Sequence, residues 1–93
     1  MKATVSVAVQ GGAKDDELLL GTSSWSEQDT SLKYAWRDKK GRRSRGGELP
    51  TWAMPQAVLF AAKEGYLTRT QMAKIVKGLV DVLAKSQKGQ AVP

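Results

Sequence analysis

The sequence predicts an α+β fold: an antiparallel meander of three or four strands, followed by a C-terminal two-helix hairpin packed on one face of the sheet. Three observations carry this prediction. Val5, Val7 and Val9 alternate with Thr4, Ser6 and Ala8, the period of two that marks a strand. Residues 55–64 and 68–85 carry apolar side chains at three- and four-residue steps, with a glycine between the two runs. Between the strand-like and helix-like regions lies a turn-rich, strongly cationic stretch.

The first strand, within residues 1–9, is expected to bury its valine face. Gln10 to Asp16 holds two glycines and two aspartates without periodicity and reads as a loop. Leu18 to Leu20 resumes an apolar run, so Glu17 to Thr22 is the expected antiparallel partner. Thr22 to Thr30 is polar and serine-rich, a surface loop whose Trp25 is expected to plug the edge of the core, the usual fate of an isolated Trp. Leu32, Tyr34 and Trp36 then alternate with Ser31, Lys33, Ala35 and Arg37, a third strand whose large side chains share the face expected to meet the helices.

Asp38-Lys39-Lys40-Gly41 fits a hairpin loop with a left-handed glycine, which returns the chain as a fourth strand over Arg42 to Arg45. So polar a strand suits a sheet edge, where charge discourages edge-to-edge pairing. Gly46-Gly47 ends it, and residues 48–55 cross to the helices with Trp52 as anchor, Pro50 and Pro55 disfavouring helix at Leu49 and Met54.

The first helix, Pro55 to Glu64, opens on a proline whose missing donor a first turn does not need, and stops at Gly65, with Tyr66 expected to fold back on Phe60 or Ala61. The second starts at Thr68, because Thr68 and Gln71 have the spacing of a capping box and Leu67 and Met72 that of a hydrophobic staple. Met72, Ile75, Val76, Leu79, Val82 and Leu83 form an apolar stripe that needs burial, while Lys77, Asp81 and Lys85 occupy the solvated side.

Ninety-three residues make one domain, expected to span residues 1–86 with residues 87–93 as a frayed tail. The longest apolar run, Ala57 to Ala62, is far short of the ~20 residues that span a bilayer, and residues 1–9 lack a signal-peptide core. A soluble cytoplasmic protein with no membrane association is therefore expected. With no Cys and no His, the chain has no disulfide, no thiolate or imidazole metal ligand and no imidazole base. Ser23, Ser24 and Ser26 thus lack a histidine partner, and an enzyme is disfavoured. Asp15-Asp16-Glu17 would alternate faces on an extended chain and reads as loop solubility rather than a cation site. Gly46-Gly47-Glu48 lacks the spacing of a phosphate-binding loop and reads as a turn. No cofactor is expected.

Charge is distributed unevenly. Residues 1–36 sum to −2, residues 46–93 to +3, and the nine residues Arg37 to Arg45 alone to +5. Arg37, Lys39, Lys40, Arg42, Arg43 and Arg45, with Lys33 on the preceding strand, are the candidate nucleic-acid-binding residues: cations on a two-stranded ribbon suit phosphates. The bland reading of the same run is a solvated edge strand. The functional expectation is a small, basic, non-enzymatic protein that binds DNA or RNA through this hairpin. Its alternative is a protein-interaction module, such as a phage or plasmid accessory protein or a homodimer, in which Trp25, Trp52 and a leftover helix face make the contact.

Residues 55–85, with Gly65, Thr68 and their apolar spacing, superficially resemble the amino-terminal helical hairpin of histone-like DNA-bending proteins. That family places its sheet and DNA-gripping arms after the helices, whereas any sheet precedes them here. Residues 34–42, with Thr51 before an alanine-rich helix, are similar in layout to the DNA-binding arms of phage-type integrases, from which the crossing over residues 46–55 departs.

Overall fold

In the computed structural model, which describes residues 1–42 and 46–86, four strands form a single antiparallel meander and two helices follow. The strands are β1 (Lys2–Ala8), β2 (Glu17–Thr22), β3 (Thr30–Ala35) and β4 (Glu48–Pro50), in spatial order β1-β2-β3-β4. A short 3₁₀ turn, Thr51–Ala53, leads into α1 (Met54–Lys63), and α2 spans Arg69–Ser86. The chain divides into two compact units, Met1–Pro55 and the remainder from Gln56.

In the first unit, register decides which side chains share a face. Val5 pairs with Leu20, Val7 with Leu18, Leu18 with Tyr34, and Leu20 with Leu32, so these six residues line one side. Leu19, Gly21, Ser31, Lys33 and Ala35 alternate onto the other. The buried side is the second one: Leu19 is 3% and Ala35 1% exposed. Val5 and Val7, by contrast, are 60% and 59% exposed. The expectation that the valine face of β1 is buried is therefore overturned. Small residues explain the choice, because Gly21, Ser31 and Ala35 let backbone and loops close over their own side. The Ser23 and Ser31 hydroxyls meet there at 2.6 Å, so the buried polar atoms satisfy one another.

Gly21 fixes the path of β1. The register shifts between Ala3 and Val5, leaving Thr4 as the extra residue of a bulge, and the Thr4 hydroxyl donates to the Leu20 carbonyl at 3.2 Å. A methyl group on Gly21 would stand 2.0 Å from the Lys2 carbonyl oxygen, so only glycine lets the start of β1 lie so close.

β4 corrects the reading of residues 48–55 as a plain crossing. Leu49 lies opposite Leu32 and Glu48 opposite Lys33, while Pro50, lacking a donor, sits on an edge strand where no ladder bond is lost. The Glu48 carboxylate binds this strand to the loop and the amino terminus, accepting from the Ser24 amide at 3.0 Å and lying 3.5 Å from the Met1 ammonium. The Ser24 amide, chiefly, holds Glu48 below the usual carboxylate range. Of the fourth strand expected at Arg42–Arg45, Arg42 lies outside any strand, and Arg43, Ser44 and Arg45 lie outside the described residues. Trp25 and Trp52 are also exposed rather than plugging or anchoring, Trp52 at 74%. The Trp25 indole instead donates to Asp29 Oδ2 at 2.7 Å across its own loop.

In the second unit both helix boundaries follow local chemistry. Gly65 takes φ +82°, the Tyr66 amide donates to the Ala61 carbonyl at 2.9 Å and the Gly65 amide to that of Ala62 at 3.2 Å. This is the paired arrangement of a left-handed stop. The capping box is complete: the Gln71 amide donates to Thr68 Oγ1 at 3.0 Å and the Thr68 amide to Gln71 Oε1 at 2.9 Å. The stripe predicted for burial is not buried, with Val76, Leu79, Val82 and Leu83 all exposed. Tyr66 is exposed as well and gains no cover from α1. No helix among the described residues is long and apolar enough to cross a membrane.

Candidate nucleic-acid interface

The hairpin after β3 is built around Asp38. Its carbonyl accepts from the Gly41 amide at 2.9 Å and its amide donates to the Arg42 carbonyl at 2.9 Å, closing the loop. Its carboxylate does more: Oδ1 accepts from the amides of Lys40 and Arg42, each at 2.9 Å, and Oδ2 from Arg42 Nε at 3.0 Å. Asp at the first position of a turn commonly bonds to backbone ahead of it, and here it binds twice. Gly41 takes φ +76°, as the sequence predicts for this loop. Arg37 Nη1 completes the bracing by donating to the Gly41 carbonyl at 2.8 Å. The bond from the Arg42 amide is the largest influence holding Asp38 below the usual carboxylate range, with the Lys40 amide and Arg42 side chain adding to it and desolvation opposing.

The expected cations are not equivalent. Lys39 and Lys40 stand exposed at the apex of the loop. Arg37 and Arg42 flank it but are each partly engaged, Arg37 with a carbonyl and Arg42 in an ion pair with Asp38. Lys33 does not join them: it lies mid-β3, opposite Leu19 and Glu48, on the side away from Tyr34. Arg43 and Arg45 lie outside the described residues.

Two residues that the sequence assigned to a core stand beside this loop instead. Tyr34 and Trp36 are 41% and 47% exposed, their ring centroids 6.3 Å apart and their planes tilted by 51°. The Tyr34 hydroxyl donates to Asp16 Oδ2, which also accepts from the Ala13 amide at 3.1 Å. That bond raises the Tyr34 phenol above its ordinary range, with desolvation adding to the shift. Asp16, read from sequence as mere loop solubility, thus fixes an aromatic ring. Gly46 leaves room for the other: a methyl group there would stand 3.3 Å from Cζ3 of the Trp36 indole. The sequence did contain a signal, two aromatics at i and i+2 immediately before a cationic turn.

The described residues contain no cluster of acidic side chains arranged to hold a metal ion. The arrangement offers cationic hydrogen-bond donors on a braced loop and exposed ring surface next to it. Comparison of the chain with protein-family models, with curated protein sequences and with solved structures finds no match in any of the three.

Proposed function

We propose that this chain is a small nucleic-acid-binding protein that grips the phosphate backbone, without a catalytic step, through the hairpin over residues 37–42. The observation that supports this reading most directly is the Asp38-centred bracing, which holds Lys39 and Lys40 outward on a loop of fixed shape. Asp38 removes one positive charge, yet residues 37–42 retain an excess of three. Arg43 and Arg45 add two more in the sequence. Cations on a preordered loop lose less conformational freedom when phosphates arrive.

The test is fluorescence anisotropy of a labelled oligonucleotide at several salt concentrations. Affinity should fall steeply as salt rises, and replacing Lys39 and Lys40 by Ser should lower the slope of log K against log salt by roughly 0.7 to 0.9 for each phosphate no longer neutralised. Affinity independent of salt, or unchanged in the double variant, would refute the proposal.

A second reading rests on a different observation, the exposed apolar residues Val76, Leu79, Val82 and Leu83 along α2. An open stripe of this kind suits a protein partner or a second copy of the chain. Sedimentation velocity over a concentration series, with Leu79→Lys as the disrupting variant, tests it.

A further inference from the structure

We infer that the preferred ligand is a single strand, DNA or RNA, whose bases stack on Tyr34 and Trp36 while its phosphates follow the loop at Lys39 and Lys40. This inference rests on the phosphate-binding reading above and adds a ligand class to it. Bases inside a duplex have their faces covered by their neighbours, so exposed rings add nothing to duplex binding unless the helix is unstacked. On a single strand every base has a free face, and stacking on an aromatic side chain is largely indifferent to sequence.

Three features of the site fit that chemistry. The rings are positioned before the ligand arrives, Tyr34 by its bond to Asp16 and Trp36 beside the glycine backbone at position 46. They stand two residues apart where β3 ends, Trp36 just past its last residue Ala35, with 6.3 Å between centroids, and so offer two neighbouring ring surfaces. Apolar Leu18, Leu20 and Leu32 share this side of the sheet with Tyr34, a floor that suits neutral bases rather than phosphates.

Charge gives the site a direction. Asp16 lies at the Tyr34 end and the lysines lie beyond Trp36, so the strand's backbone is repelled from the first and attracted to the second. Bases are therefore placed over the rings and phosphates along the loop. Nothing in this arrangement reads a base edge, and little sequence preference is expected.

The experiment compares labelled single-stranded and double-stranded DNA of equal length, and single-stranded RNA, using the full chain. The single strands should bind more tightly than the duplex. Trp36→Ala should weaken single-strand binding about 5- to 150-fold, the range for loss of one stacked base. Trp36→Leu retains apolar bulk without a ring and guards against a folding defect; it should weaken single strands similarly and leave duplex binding unchanged. Trp36→Phe should restore most of the affinity. If salt-dependent binding occurs but single strands gain no advantage, or Trp36→Leu binds them as the wild type does, the inference fails while the phosphate-binding proposal stands. If no nucleic acid binds at low salt, both fail.

Discussion

Replacing Gly21 by Ala should destabilise the sheet unit, and the size of the effect follows from the geometry around one hydrogen atom. The added methyl would stand 2.0 Å from the Lys2 carbonyl oxygen and 2.7 Å from the Ala3 Cα, both of them backbone. Neither can rotate aside, so the beginning of β1 must move and the bulge at Thr4 with it. Overpacking of this kind costs about 1–3 kcal/mol, against which the stiffer unfolded chain returns about 0.4–1 kcal/mol. A net loss of about 1–2 kcal/mol corresponds to a melting temperature lower by roughly 4–16 °C for a domain this small. Tryptophan emission is the suitable probe, because Trp25, Trp36 and Trp52 all belong to the first unit. Gly47→Ala is the control, since a methyl there meets nothing within 4 Å. If Gly21→Ala melts at or above the wild-type temperature, the account of the bulge is wrong.

Thr68→Ala removes one half of the capping box and should destabilise α2 by about 1 kcal/mol, seen as an earlier loss of far-ultraviolet helix signal on heating. Asp38 has its carboxyl depressed in the folded chain, so its contribution is full above the ordinary carboxylate range and disappears as pH falls through the depressed value. Amide protons of Lys40 and Arg42 should then lose their protection in strong acid, and in Asp38→Ala they should lack it at every pH; protection that survives in the variant would contradict the turn geometry. Tyr34 is shifted the other way: its hydrogen bond is complete below the ordinary tyrosine range and is lost as pH rises through the raised value. Phenolate absorbance in a Tyr66→Phe background should show late ionisation, and Asp16→Asn should bring it back towards the ordinary value.

Local signals translated most directly into structure. The limits of β2 and the capping box at Thr68 could be read from residue types alone, because each depends on neighbours within a few positions. The Asp38–Gly41 loop was legible for the same reason. Which face of the sheet is buried was not, since period-two alternation marks two faces without saying which one closes. The decision fell to Gly21, Ser31 and Ala35, whose small size carries no hydrophobic signal. β4 escaped because a three-residue strand ending in proline has no period to detect. At the candidate site the cationic loop was evident in the composition. The role of Asp16 was not, because its partner Tyr34 lies eighteen residues away and meets it only through the pairing of β2 with β3.

The interruption at Thr4 also bears on how copies of this chain behave when crowded. β1 is an outer strand with exposed Val5 and Val7, and such a border invites a neighbour to add itself by main-chain pairing. A bulge spoils the template after a few residues, leaving only the stretch from Val5 to Ala8 in regular register. Deleting Thr4 would straighten that border into an uninterrupted rail, and the shortened chain should form fibrils more readily, measurable as earlier thioflavin fluorescence.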